Sequence, residues 1–188
     1  MKLEIFVCDT RPAVASALEK ALASFPQVHV RCGDVKDFDQ TGVCFVNPVS
    51  VSDGWTQGSL DATLAHLGNS AVQTVPLRGA LLDTWEGGRF CITFAYCAVR
   101  KAVQPGDVYL GTRVLLSMAV DAVRRGVGVH TLVMTGVGTG RGVSNRDRVV
   151  KEIKAAFQTV LVDKNLVIDP HQARHPDLLQ DPVHGFSL

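Results

Sequence analysis

The chain has 188 residues, 46% of them hydrophobic, and sets 19 Lys and Arg against 18 Asp and Glu. That length and apolar content suit one sizeable core, while a formal net charge of +1 argues against general nucleic-acid binding or attachment to an anionic membrane. A small ligand or a protein partner fits better. The opening Met1-Lys2-Leu3-Glu4-Ile5-Phe6-Val7 has charges inside its only early apolar run, which is too short for a signal-peptide core or a span, so a cytoplasmic location is expected. Cys8, Cys32, Cys44, Cys91 and Cys97 are odd in number, scattered and without a C-x-x-C pair. This favours buried reduced thiols over disulfides or a zinc site.

In chain order, Leu3 to Cys8 reads as a buried strand, and Asp9-Thr10 with Pro12 just beyond reads as a helix start, since proline early in a helix wastes no hydrogen bond. Ala13, Val14, Ala17, Leu18, Ala21 and Leu22 follow at helical spacing, and Val28 to Cys32 alternates as a second strand. The chain therefore opens with a βαβ unit. Val43-Cys44-Phe45-Val46 is a third apolar run, expected to stop at Asn47-Pro48. Ser59 can cap a short helix carrying Leu60, Leu64 and Leu67, which Gly68 would end. Phe90 to Cys97 is almost continuously apolar and looks like a central strand. Asp107 can cap a helix from Val108 to Arg125, with Gly126 after it. Val129 to Met134 is another apolar run, and an amphipathic helix opening near Asn145 carries Val149, Val150, Ile153, Ala156 and Phe157. Val160-Leu161-Val162 and Leu166-Val167-Ile168 follow as apolar runs.

Alternating strands and helices predict an α/β fold, a three-layer α/β/α sandwich over residues 1–168, with a polar, proline-interrupted C-terminal extension at 169–188. Binding crevices in such folds form beyond the carboxyl ends of the strands. Three segments meet that description: Gly33 to Lys36, Asn47 to Asp61, and Gly136 to Gly142. The last, Gly136-Val137-Gly138-Thr139-Gly140-Arg141-Gly142, has glycine at every second position between a strand and a helix, so its backbone N–H groups can close around an anion. It is not a Rossmann fingerprint, because Arg141 and Val143 stand where glycine is needed, and no Gly-Lys-Ser/Thr forms a Walker A loop. A plain strand-to-helix connection is the competing reading of the same residues.

Taken together these segments resemble the macro domain, the ADP-ribose-binding fold, and in particular a bacterial and phage branch of it. The likeness runs through Gly33-Asp34-Val35, Val46-Asn47-Pro48-Val49-Ser50, Gly58-Ser59-Leu60-Asp61, Val108 to Arg113 and Gly136-Val137-Gly138-Thr139-Gly140. It implies a mixed central sheet and ADP-ribose, or an ADP-ribosylated macromolecule, as partner. It also implies that Asp34, beside Val35, accepts a hydrogen bond from the adenine amino group, against the alternative that Asp34 only caps the turn before Asp37 and Phe38. Asn47 belongs to the second ligand-facing segment, Asn47 to Asp61. Gly58, Ser59 and Leu60 resemble a first diphosphate loop at a helix start, and Val137, Gly138, Thr139, Gly140, Arg141 and Gly142 a second. Arg141 stands where the family commonly has an apolar or aromatic residue, and it either adds a phosphate contact or points into water.

The resemblance also marks departures. Ser50 replaces the asparagine that positions the distal ribose in hydrolytic members, and Ser59 replaces a glycine. Asp61 matches the family's aspartate, which helps to activate water, but about one residue more than the pattern separates it from Ser50. Asp61 is equally an acid in a first helical turn, favoured there by the dipole. Asp53, Trp55 and Gln57 enrich the same loop, Trp55 being read as a lid over the ligand or as a loop anchor. His171 and His175 share helical ligand spacing but lie between Pro170 and Pro176 without a third ligand, so no metal or cofactor is expected. Three functions follow: an ADP-ribose binder, preferred; an ADP-ribosyl hydrolase using Asp61, with Ser50 as a weakened orienting group; and a divergent protein-interaction module.

Overall fold

The computed structural model describes residues 3–38, 41–52, 55–58, 65, 75–85, 89–98, 103–139 and 145–162. Its elements are β1 (Glu4–Asp9), α1 (Pro12–Leu22), β2 (Val28–Cys32), β3 (Val43–Ser52), β4 (Trp55–Gly58), β5 (Ala80–Trp85), β6 (Arg89–Ala98), α2 (Asp107–Arg124), β7 (Thr131–Thr135) and α3 (Arg146–Leu161). A 3-10 turn covers Val35–Phe38. The strands form one mixed sheet in the order β2-β1-β7-β3-β6-β5, with β4 added to β3. β2, β1, β7, β3 and β6 run parallel, and β5 and β4 are antiparallel to their neighbours. Among the described elements strands and α-helices alternate at the start (β1-α1-β2) and at the end (β6-α2-β7-α3), and β1, α1 and β2 form the expected βαβ unit.

Pleating sends alternate residues to opposite faces, and the two largest apolar clusters lie on opposite sides of the sheet. Ile5, Val7, Cys44, Val46, Ile92, Leu132 and Met134 point to one face. Helices α1, α2 and α3 all cover that face, through Val14, Leu18 and Leu22 of α1, Leu115 and Ala119 of α2, and Ile153 and Phe157 of α3. Each large side chain buried there contributes about 1.5 to 3 kcal/mol by leaving water. Cys8, Val43, Phe45, Cys91 and Val133 point to the other face, where the described cover comes from Val35 and Phe38 of the 3-10 turn. The fold is thus α/β with a mixed sheet and one described helical layer. The helix expected from Ser59 lies outside the described residues, apart from Ala65, which is helical.

Several expected boundaries moved. β3 does not stop at Asn47-Pro48 but runs on to Ser52. Pro48 is tolerated in this central strand because the partner on one flank changes there: β7 pairs as far as Val46, and β4 takes over at Val49. The segment read as a loop from Asn47 to Asp61 is therefore largely a strand pair. Val160 and Leu161, read as the start of an apolar run beyond the helix, are the last turn of α3. Asp107 is not the N-cap of α2: Gly106 takes that position, at φ +88°, and Asp107 is the first helical residue. Its carboxylate instead holds the chain leading into the helix, accepting from Gln104 N at 2.9 Å and Arg78 Nη2 at 2.5 Å. Asn145, where the helix was expected to open, is the N-cap of α3, its Oδ1 accepting from Arg148 N at 2.9 Å. Cys8, Cys44 and Cys91 are buried thiols outside any disulfide, while Cys32 is exposed, because it falls on the outermost strand of the sheet.

Candidate functional site

Because five neighbouring strands run parallel, their carboxyl ends share one edge of the sheet. Asp9 ends β1, Gly33 and Asp34 follow β2, and Gly136 to Thr139 follow β7. Asn47, 3% exposed, lies within β3, opposite Thr93 of β6. Two of the three segments singled out from sequence, Gly33–Lys36 and the start of the glycine loop, are thus brought to the same edge.

The third segment enters by a different route. β6 pairs with β3 from Cys44 to Val51 and occupies one flank throughout. β7 and β4 therefore share the opposite flank, β7 opposite Val43–Val46 and β4 opposite Val49–Ser52. β7 runs with β3 and β4 runs against it, so their carboxyl ends converge. Met134 lies opposite Val46 and Gly58 opposite Val49, a separation of ~10 Å along the strand at ~3.3 Å per residue. Gly58 and the glycine loop therefore approach one another on the same flank of β3. Ser50 lies at a β-bulge between β3 and β6 and pairs with Gln57 across the hairpin. Ser59, Leu60, Asp61, Asp53, Gly140, Arg141, Gly142, His171 and His175 lie outside the described residues.

The described part of the glycine loop is a tight, buried turn. Thr139 donates to the Gly136 carbonyl twice, through N at 3.1 Å and Oγ1 at 2.7 Å, so its backbone N–H is spent inside the turn. Gly138 has φ +71°, and a Cβ there would meet Val108 Cγ2 at 2.6 Å. A Cβ on Gly136 would meet Thr139 Cγ2 at 2.6 Å and Leu18 at 3.3 Å. Close packing thus requires glycine at both positions, and at Gly138 the positive φ favours it as well. Val137 is fully buried in the helical-side core, so of the predicted pair Val137 and Gly138 it is the anchor.

Asp34 adopts the capping role weighed from sequence. Its Oδ1 accepts from Lys36 N at 3.1 Å, its carbonyl accepts from Asp37 N, and its side chain remains 40% exposed, 3.8 Å from Lys36 Nζ. A carboxylate so exposed still has lone pairs for a further donor. Val35, by contrast, is buried in the core beside Phe38. Arg31 lies over the rings of Phe6 and Phe38, at 5.3 and 5.2 Å, just outside that turn.

The residue that sequence reading underrated is Asp9, only 7% exposed. Oδ1 accepts from Arg11 N at 2.9 Å and Arg11 Nε at 2.8 Å, and Oδ2 from Arg11 Nη2 at 2.7 Å and, at 3.2 Å, from the Thr139 hydroxyl, whose single proton it shares with the Gly136 carbonyl. Its carbonyl accepts from Gly33 N at 3.2 Å. One residue thereby ties the ends of β1, β2 and β7 to the start of α1. Burial pushes the carboxyl pKa up, but the Arg11 side-chain and backbone bonds, the Arg11 charge and the Thr139 hydroxyl outweigh it and hold the pKa below the usual value. The local signal was available: an Asp two residues before a helix's first N–H groups makes an Asx turn. The same expectation placed Asp9 at a helix start, where Arg11 is the N-cap and Pro12 the first helical residue.

Other groups at this edge are chemically quiet. Burial pushes the Cys8 thiol up to about 11, so it stays protonated near neutrality. Tyr109 N in the first turn of α2 donates to Glu152 Oε2 of α3 at 3.1 Å, which satisfies that donor within the protein. Among the described residues no group of three or more His, Cys, Asp or Glu is placed to hold a metal ion. None of the described helices is long and apolar enough to cross a membrane. Of the groups at this edge, the Asp34 carboxylate and the Arg11 guanidinium remain partly exposed. No protein-family model matches the chain, and no curated protein matches it significantly.

Proposed function

We propose that this chain is a macro-type domain of three-layer α/β/α architecture that binds ADP-ribose or a closely related adenine diphosphate. Asp34 accepts from the adenine amino group, and two backbone loops beginning at Gly58 and Gly136 flank the diphosphate. Of the proposed architecture, the described residues supply the sheet and one helical layer. The observation that carries the reading is the convergence of β4 and β7 on one flank of β3, because it draws together two glycine-bearing segments that lie far apart in sequence. The exposed Asp34 carboxylate at the end of β2, two strands from β3's flank, supports the adenine assignment. Binding is preferred to hydrolysis because Ser50 stands where the resemblance calls for the ribose-positioning asparagine, and about one residue more than the pattern separates it from Asp61.

Calorimetry with ADP-ribose, AMP and a guanine analogue tests this. ADP-ribose is expected to bind, the guanine analogue to bind less well, and Asp34→Ala to weaken ADP-ribose by ~1 to 3 kcal/mol, the cost of a lost hydrogen bond to a charged group. No heat with millimolar ADP-ribose would sink the proposal.

A further inference from the structure

We propose that Arg11 is a diphosphate-contacting residue of this site, held in place by Asp9, which acts as its positioning residue. The inference rests on the reading of the preceding subsection and adds a side-chain cation beside the two backbone diphosphate loops.

Arg11 sits at the carboxyl end of β1, next in the sheet to β7, whose end opens the glycine loop. Its Nε and Nη2 grip Asp9 side-on. Guanidinium has five N–H donors in a rigid plane, and side-on pairing uses one on Nε and one on Nη2. The end-on edge, formed by Nη1 and the second Nη2 hydrogen, then points away from the carboxylate. It is the edge that matches two phosphate oxygens bidentately. The Arg11 side chain is 39% exposed while Asp9 is buried, so the pair presents its cationic side to solvent.

The link to the glycine loop is a shared atom. Asp9 Oδ2 accepts from Arg11 Nη2 at 2.7 Å and from Thr139 Oγ1 at 3.2 Å, so one oxygen sets both the guanidinium and the loop. An arginine already locked by a buried carboxylate loses less side-chain freedom when it takes up a ligand than an unrestrained one does. With all four of its donors supplied by Arg11 and Thr139, Asp9 itself does not touch the ligand. It fixes the group that does.

The test is titration of the whole chain and of Arg11→Gln and Arg11→Lys with ADP-ribose and with adenosine, by calorimetry or, for the weaker nucleoside, NMR chemical shifts. Arg11→Gln should lower ADP-ribose affinity ~10-fold or more, as for a charged hydrogen bond, and leave adenosine unchanged. Arg11→Lys keeps the charge without the fork and should fall between, which covers the case of Arg11→Gln failing to fold. Unchanged ADP-ribose affinity in the variants, or equal losses for adenosine and ADP-ribose, would overturn the inference and leave the site reading intact. An unaltered chain that binds no ADP-ribose would overturn the site reading, and this inference with it.

Discussion

Two aspartates end neighbouring parallel strands of one sheet, and their environments are opposite. Asp9, at the end of β1, is buried and accepts four hydrogen bonds on its carboxylate, whereas Asp34, just beyond β2, is 40% exposed and accepts one from Lys36 N. The difference follows from position in the sheet. β1 has a strand on each side and α1 folding back from its end, so Asp9 is enclosed; β2 is an outer strand, so the residues after it meet solvent. A saturated carboxylate organises the protein around it, and an open one is available to something else.

If this contrast is right, the largest effect on stability should come from Asp9→Ala, ~3 kcal/mol by denaturant unfolding, because it strips Arg11 and Thr139 of a charged acceptor in a buried place. A loss below ~1 kcal/mol would erase the distinction. Acid should produce the same failure more gradually. The Asp9 pKa is lowered from 3.8 on folding, so its contribution is fully present above that unfolded value and disappears as pH falls through the lower folded value. Unfolding midpoints measured from pH 5 downward should fall less steeply in Asp9→Asn than in the unaltered chain. Thr139→Val removes one of the four donors and one of the two bonds to the Gly136 carbonyl, and ~1 kcal/mol is expected. Asp34→Ala should change stability least, by ~0.5 kcal/mol or less, as for an exposed turn residue. An Asp34 loss as large as that of Asp9 would mean that the carboxylate is structural and that its adenine role must be given up.

Legibility from sequence followed the range of the interactions involved. α1 with Pro12 in its first turn, the Asn145 cap of α3 and the glycine turn before it are local devices, and each was readable from a few adjacent residues. Asp9 was noticed only as part of a helix start, because its partner Thr139 lies 130 positions away. β5 went unread: Ala80-Leu81-Leu82-Asp83-Thr84-Trp85 is an edge strand with Leu82 exposed, so it lacks the dense apolar run by which Phe90 to Cys97 announced itself. β4 was missed although Ser52 and Trp55 pair with only Asp53-Gly54 between them, a dipeptide favoured in two-residue hairpins. Its few residues were read instead as part of a ligand loop.

By itself the amino-acid order determined the α/β class, the opening βαβ unit, the apolar faces and the presence of a glycine turn after β7, because these depend on periodicity and on backbone chemistry within a few residues. Tertiary structure alone decided that α1, α2 and α3 all cover one face, that Pro48 falls where β3 changes partner, and that Gly58 and Gly138 approach the same flank. It also decided which of two aspartates is sealed inside. Strand order and register are pairings between distant segments, and no local pattern encodes which strand will lie beside which.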